Sequence, residues 1–112
     1  MSTPKIHKSG TDKAGARTAA VGELVSVVVV NFNAGEYLVA AVESVLKQSE
    51  VATEIIVVDN DSQDRSLDGL RTKLPAGRVQ IIELGGNHGF AHACNVGITA
   101  SRGEMVLLLN PE

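Results

Sequence analysis

The chain has 112 residues, enough for one small domain, and its 44% hydrophobic and 21% charged residues are an ordinary globular balance. This composition, with a single cysteine, excludes a disordered chain, a collagen-like repeat and a disulfide scaffold. Residues 1–20 carry a net charge of +3 and the remaining residues a net charge of −6, so nucleic acid is not expected as a partner.

Residues 1–22 are predicted to form a flexible basic tail, followed by one domain at residues 23–112. The tail is rich in Lys, Thr, Ser, Gly and Ala and has no apolar face. It also lacks the apolar central run of a signal peptide, and no stretch reaches the ~18 apolar residues of a membrane helix. We therefore expect a cytoplasmic location, with at most peripheral contact at the inner face of the membrane.

The domain is predicted to follow the order β-α-β-α-β-α-β. Four apolar, mostly β-branched runs predict the strands: residues 24–30, 55–58, 79–84 and 105–109. Apolar residues at helical spacing predict the helices: residues 36–46, 64–74 and 89–100. Such alternation with short connections predicts a Rossmann-like parallel sheet with helices on both faces.

Polar residues at the helix starts suggest caps. Asn33 is expected to cap the first helix, with Glu36 as its capping-box partner and Tyr37 opening the apolar stripe. Asp64 is expected to cap the second helix, although a ligand-binding role for it stays open. Gly97 is expected to let the third helix pack closely on the sheet.

Polar segments follow all four predicted strands, at residues 31–33, 59–61, 85–88 and 110–112. Ligands of parallel sheets bind at the carboxyl ends of the strands, so these segments predict one binding site. Carboxylates such as Asp59 accept from a base or ribose, or hold a hard cation. A phosphorylated receiver domain is a disfavoured alternative. The pair His88 and His92 is not expected to form a metal site, and His88 is expected to be a polar residue at this edge of the sheet.

Four segments resemble, in order, the motifs of family 2 glycosyltransferases: SVVVVNFN at 26–33, IVVDNDSQD at 56–64, NHGFAHACNVG at 87–97 and LLLNPE at 107–112. The resemblance covers residues 24–112 and implies the N-terminal, nucleotide-binding half of a GT-A fold. The ending Asn110-Pro111-Glu112 resembles the rhamnosyltransferase-like branch of the family, with glutamate in place of the usual aspartate.

The resemblance implies a site for a nucleotide-sugar donor, a UDP- or dTDP-sugar. The residues it assigns to the nucleotide are Asn31, Phe32, Asn33, Asp59, Asp61, Asn87, Gly89 and Asn95. Asp59 would accept from the base. Glu112 would ligate Mg²⁺ or Mn²⁺ on the diphosphate. The family's reaction would pass the sugar to a saccharide or lipid-linked acceptor.

The general base that inverting transfer requires, and the acceptor site, lie further along the chain in this family. No catalytic residue is therefore assigned here, and the 112 residues alone are expected to be inactive. The alternative function is a stand-alone nucleotide-binding or interaction module without catalysis. In the strand order three-two-one-four, residues 105–109 would form an open apolar edge, which predicts self-association through the fourth strand.

Overall fold

The computed structural model describes residues 5–8, 23–48, 50–74 and 77–111. Its elements are, in order, β1 (Lys5–Lys8), β2 (Leu24–Asn31), α1 (Glu36–Lys47), β3 (Ala52–Asp59), α2 (Ser66–Lys73), β4 (Val79–Glu83), α3 (Phe90–Ala100) and β5 (Met105–Leu109). The seven predicted elements are confirmed as β2 to β5 and α1 to α3. One strand that the sequence analysis does not predict, β1, precedes them.

The strands form one sheet in the order β1-β5-β2-β3-β4. β5, β2, β3 and β4 are parallel to their neighbours, which confirms the parallel α/β architecture and the three-two-one-four order. The register places Asn31 of β2 opposite Asp59 of β3, and Asp59 opposite Glu83 of β4. Polar residues at the carboxyl ends of three strands are thereby aligned.

The outer edge of β5 is paired, whereas the sequence predicts it to be open. β1 runs antiparallel to β5, with Lys8 opposite Met105 and Lys5 opposite Leu108. Among residues 1–22, the predicted flexible tail, residues 5–8 are thus a strand, and the others lie outside the described residues. Since backbone pairing satisfies this edge, the physical ground for expecting self-association through β5 is removed.

Aliphatic side chains fill both faces of the sheet. One face packs under α1 and α2, with core residues Val27, Val29, Leu38, Val42, Ile55, Val57 and Leu70. The other face packs under α3, with Val28, Val30, Ile56, Val58, Ala93, Cys94 and Val106. Strand residues therefore alternate between two buried faces, which explains why their sequence is a continuous apolar run.

All three aromatic residues of the chain lie outside this core. Phe32 is 46% exposed, Tyr37 62% and Phe90 55%. The expectation that Tyr37 belongs to the buried stripe of α1 is wrong, since that stripe consists of Leu38, Val39, Val42 and Val45. Single exposed aromatics need no explanation, but two of these three flank the same cavity, as described below.

The close packing predicted at Gly97 is confirmed. A Cβ atom added there would lie 2.3 Å from Cγ1 of Val28 and 3.2 Å from Cγ2 of Val58. α3 can therefore approach β2 and β3 this closely only because residue 97 has no side chain.

A polar clamp fixes the turn between α3 and β5 at the amino end of the sheet. The Ser26 hydroxyl, fully buried, donates to Glu54 Oε2 at 2.5 Å and accepts from the backbone N–H of Gly103 at 2.8 Å. The Arg102 backbone N–H also donates to Glu54 Oε2, at 2.6 Å. Burial alone would raise the pKa of Glu54, but the hydrogen bonds from Ser26 and Arg102 outweigh it and hold this pKa below its ordinary value.

We expect this clamp to make stability fall in acid. A carboxyl whose pKa is lowered by folding stabilises the protein above its unfolded pKa, and that contribution is lost as pH falls through the folded value. The free energy of unfolding of Glu54→Gln should therefore lie below that of the parent chain at neutral pH. This gap should narrow as the pH falls below the ordinary glutamate pKa of 4.5 toward the lowered value in the folded protein. Urea unfolding across this range measures it.

Glu43, exposed on α1, provides the matched control for this experiment. Glu43→Gln should follow the parent curve at every pH. If the difference in free energy of unfolding between Glu54→Gln and the parent chain stays constant with pH, the assignment of the acid sensitivity to Glu54 is wrong.

Candidate functional site

The carboxyl ends of β2, β3 and β4 are joined beyond the strands themselves. The backbone N–H of Asn60 donates to the carbonyl of Asn31 at 2.9 Å, and that of Leu84 donates to the carbonyl of Asp59 at 3.0 Å. These bonds hold the first residues of the loops in strand-like register. The loops that follow the strands therefore start from fixed positions at one edge of the sheet.

A buried amide–carboxylate pair organises this edge. The Asn31 side chain, fully buried, donates through Nδ2 to Asp59 Oδ1 at 2.8 Å and to Ser66 Oγ at 2.8 Å. The other carboxylate oxygen of Asp59 accepts from the Ser62 backbone N–H at 3.0 Å. Both oxygens of Asp59 are thus engaged inside the protein. Asn31 and Asp59 lock the ends of β2 and β3 to the loop that leads into α2.

Asn33 and Asp64 cross-link the two neighbouring loops. Asn33 Oδ1 accepts from the backbone N–H groups of Gln63 at 2.7 Å and Asp64 at 3.3 Å. Asp64 Oδ2 accepts from the backbone N–H of Gly35 at 2.9 Å. The hydrogen bond from the Ser66 hydroxyl holds the pKa of Asp64 below its usual range. Burial opposes this effect, and hydrogen bonds from backbone N–H groups add to it.

The cap predicted at Asn33 is wrong. α1 has Gly35 at its N-cap position, with φ of 57° and no side-chain cap, so Glu36 has no capping-box partner there. Asn33 binds the neighbouring loop instead, because that loop offers two backbone donors. Asp64 does bond to the first turn of α2, through the N–H of Ser66 at 3.1 Å, although the N-cap position itself is Arg65.

A cavity of about 270 Å³ opens beside this network, between the loops that follow β2, β3, β4 and β5. Its lining residues are Val30, Phe32, Ala34, Asn60, Asn87, Phe90, Asn110 and Pro111. None of these eight side chains is charged. Two aromatic rings, three amides and aliphatic groups suit an uncharged, planar, hydrogen-bonding part of a ligand.

Two loops meet at the wall of the cavity through Asn60. This residue is 4% exposed, and its Oδ1 accepts from the His88 backbone N–H at 3.0 Å. Asn87 Oδ1 accepts from the backbone N–H of Gly89 at 3.0 Å, just before α3 begins. The His88 and His92 rings lie with centroids 5.2 Å apart. Within residues 5–8, 23–48, 50–74 and 77–111, no three His, Cys, Asp or Glu side chains are grouped as metal ligands.

The structure divides the predicted nucleotide-binding residues into groups. Phe32 and Asn87 line the cavity. Asn31, Asn33 and Asp59 belong to the network behind it. Asp61, with φ of 70°, and Gly89, with φ of 89°, shape the loops after β3 and before α3.

Two predicted site residues stand apart. Asn95 lies in the second turn of α3 on its exposed side and does not line the cavity. Glu112, the predicted metal ligand, lies outside the described residues.

Six residues line the cavity without having been singled out as site residues: Val30, Ala34, Asn60, Phe90, Asn110 and Pro111. Three of them, Asn60, Asn110 and Pro111, lie in the polar segments 59–61 and 110–112 that the sequence analysis places at the binding site, although no individual role was assigned to them. Phe90 could have been suspected from its position at the start of α3, beside the polar segment 85–88.

Comparison of the sequence with known proteins points to a single family. Residues 26–111 match the profile of the family described as Glycosyl transferase family 2. Glycosyltransferase GlyG of Streptococcus pneumoniae serotype 4 is 37% identical over 93 residues, which are 82% of this chain and 31% of that protein. The chain spans about a quarter to a third of the length of the curated relatives it matches. None of the helices that the structure describes has the length and apolar character to cross a bilayer.

Solved structures show the same fold. S. aureus TarS 1-349, in complex with UDP-GlcNAc, aligns with a TM-score of 0.70 and 27% identity over 78% of this chain and 26% of that chain. The mannosyltransferase PcManGT from Pyrobaculum calidifontis, in complex with GDP-Man and Mn²⁺, aligns with a TM-score of 0.69 and 21% identity over 85% of this chain and 31% of that chain. The predicted fold, the N-terminal half of a GT-A domain, is confirmed.

Proposed function

Because this chain belongs to glycosyl transferase family 2, we propose that it forms the donor-binding part of an enzyme that transfers a sugar from a nucleoside diphosphate. The observation that supports this most is the cavity at the carboxyl ends of the strands, which is flanked by Phe32 and Phe90 and whose described lining residues carry no charge. A nucleobase is planar and uncharged and stacks on aromatic rings, so it fits such a lining. TarS and PcManGT, which share the fold, were solved with nucleotide sugars.

The nucleotide residues implied by the family resemblance take two roles in this proposal. Phe32 and Asn87 contact the nucleoside directly, since they line the cavity. Asn31, Asn33 and Asp59 hold the loops that shape it, since their side chains bond to other loop residues. A direct bond from Asp59 to the base, and contacts from Asp61, Gly89 and Asn95, stay predictions. The donor is proposed to be a UDP- or dTDP-sugar.

The reaction that we propose is inverting transfer. An acceptor hydroxyl oxygen attacks the anomeric carbon as the bond from that carbon to the diphosphate breaks, and the hydroxyl proton passes to a general base. No residue of this chain is proposed as that base. The base and the site for a saccharide or lipid-linked acceptor are assigned to the part of the relatives that this chain does not cover. A lipid-linked acceptor would bring the enzyme to the cytoplasmic face of a membrane.

We propose that Glu112 holds the divalent cation, Mg²⁺ or Mn²⁺. A glutamate carboxylate is a ligand type that both cations accept, and oxygens of the donor diphosphate would share the coordination. A bound cation would neutralise charge on the departing diphosphate. PcManGT was solved with Mn²⁺. This chain shares its fold, and that likeness in fold is the support that PcManGT gives for a divalent cation.

Removing either cavity ring should weaken nucleotide binding. We expect Phe32→Ala and Phe90→Ala each to weaken binding of the tightest-binding nucleoside diphosphate by about 5- to 140-fold, since base–aromatic stacking contributes about 1–3 kcal/mol. Calorimetric titration of UDP, dTDP, CDP, GDP and ADP, with and without Mn²⁺, measures this.

Tyr37→Ala is the matched control, because Tyr37 is an exposed aromatic that does not line the cavity. Its binding should equal that of the parent chain. Glu112→Gln should weaken binding only when Mn²⁺ is present. If the parent chain binds none of the five nucleotides, or if Tyr37→Ala weakens binding as much as Phe90→Ala, the donor-binding proposal is wrong. Nucleotide binding without any sugar transfer by the longer enzyme would favour the stand-alone binding module.

A further inference from the structure

A second cavity, of about 280 Å³, opens at the opposite edge of the sheet, where β3 and β4 begin. We call it the amino-edge cavity. Its polar lining side chains are Glu54, Arg78, Gln80 and Arg102. The described lining residues therefore carry two guanidinium groups against one carboxylate, whereas those of the cavity at the carboxyl ends carry no charge.

The sheet places Arg78 beside Glu54. Gln80 of β4 lies opposite Ile56 of β3, and Arg78 and Glu54 each come two residues earlier on these neighbouring segments. Side chains two residues apart along a strand project from the same face. Ile56 is buried under α3, so Glu54 and Arg78 lie on that face of the sheet as well. An ion pair between them is the arrangement that such neighbours ordinarily form.

That ion pair is absent because the Glu54 carboxylate is engaged by other donors. Oε1 accepts from Arg102 Nε at 3.2 Å, and Oε2 accepts from the Ser26 hydroxyl and from the Arg102 backbone N–H. Within the part of the chain that the structure describes, the Arg78 side chain has no hydrogen bond and no ion pair. Its guanidinium N–H groups are thus free to bind a ligand.

Arg102 presents a second, anchored guanidinium to the same cavity. Its backbone N–H and its Nε both donate to Glu54, which fixes the residue in the turn before β5. The terminal nitrogens Nη1 and Nη2 make no hydrogen bond to the residues that the structure describes. A guanidinium group matches the oxygens of a phosphate with two parallel N–H donors, so a pair of them around one cavity suits such a ligand.

We propose that the amino-edge cavity is a binding site for a phosphate group. Arg78 and Arg102 donate to the phosphate oxygens, and the amide NH₂ of Gln80 is a further donor in the lining. A soluble phosphate anion and an anionic lipid headgroup offer the same chemistry to this site. The proposal does not depend on the donor-binding function, since the two cavities share no lining residue.

Titration of the ¹⁵N-labelled parent chain with pyrophosphate, at constant ionic strength, measures binding of a soluble anion. The backbone resonances of residues 77–80 and the Nε resonance of Arg102 should shift and reach saturation by about 10 mM. Arg78→Gln removes a charge without breaking any described bond and should weaken binding by about fivefold or more. Arg78→Glu should abolish it.

Arg65→Gln is the matched control, because Arg65 is a highly exposed arginine next to α2 that does not line the amino-edge cavity. It removes the same charge and should change pyrophosphate binding by less than about twofold. If Arg78→Glu binds pyrophosphate as tightly as the parent chain, the proposal is wrong.

Vesicle flotation distinguishes the source of the phosphate group. Retention of the parent chain by phosphatidylglycerol vesicles, lost in Arg78→Glu and absent with phosphatidylcholine vesicles, would support a lipid headgroup as the ligand. Pyrophosphate binding without retention would support a soluble anion. A parent chain that binds neither pyrophosphate nor phosphatidylglycerol, or retention that Arg78→Glu leaves unchanged, would overturn the proposal and leave donor binding intact.

Discussion

Gly103→Ala should lower the melting temperature by about 10–20 °C. A Cβ atom at this position would lie 2.7 Å from the carbonyl oxygen of Leu24 and 2.7 Å from both the backbone nitrogen and the hydroxyl of Ser26. Two of these atoms are backbone of β2 and cannot move aside. Overpacking of about 1–3 kcal/mol and the loss of the hydrogen bond from Gly103 to Ser26 act together, and each kcal/mol shifts a domain of this size by about 4–8 °C.

Gly69→Ala is the control for this substitution. The added Cβ would lie 3.7 Å from Cγ2 of Val39, an ordinary van der Waals contact. Gly69 lies within α2, where alanine is favoured over glycine by about 1 kcal/mol, so this variant should melt at the parent temperature or above it. Thermal unfolding followed by circular dichroism compares the two. Equal melting temperatures for Gly103→Ala and the parent chain would contradict the close contact of the turn before β5 with Leu24 and Ser26 of β2.

Asp59→Asn should impair both stability and nucleotide binding. The two carboxylate oxygens accept from Asn31 Nδ2 and from the Ser62 N–H, so an amide at this position must turn its NH₂ toward one of these donors. A buried donor left without an acceptor costs about 1–3 kcal/mol. The loop that carries Asn60 begins at this position, and we expect the cavity to lose its shape and bind nucleotide at least tenfold more weakly.

Urea unfolding and calorimetric titration of the same sample measure the two effects of Asp59→Asn. Asp68→Asn, at an exposed position of α2, is the matched control and should change neither. Weaker binding at unchanged stability would instead favour the direct bond from Asp59 to the base that the family resemblance implies. Unchanged stability together with unchanged binding would contradict both interpretations.

Local sequence was sufficient for the strands and helices from residue 23 onward. Runs such as 24–30 are apolar at every position except Ser26 because both faces of a central parallel strand are buried, and this requirement can be read from sequence alone. The small residue at Gly97 is likewise a local signal of close helix–sheet packing. The convergence of polar segments at one edge follows from the parallel topology, so the approximate place of the site was predictable too.

Features that depend on partners distant in sequence were not predictable. β1 is recognised only by its pairing with β5, about a hundred residues later. A strand of four residues that is held by backbone hydrogen bonds needs no particular pattern of apolar side chains. Asparagine is a residue type that often caps helices. The side-chain oxygen of Asn33 instead accepts from two backbone N–H groups that lie some 30 residues away in the sequence.

The sequence by itself determined the α/β order, the family and the strand ends beside which the cavity opens. The tertiary structure decided which polar residues line that cavity. Asp59 was the obvious candidate, yet its carboxylate is engaged by Asn31 and Ser62, and its neighbour Asn60 lines the cavity. The physical reason is that a side chain's remaining hydrogen-bonding capacity depends on which donors the folded chain brings to it. For Asn60 that donor is a backbone N–H 28 residues away.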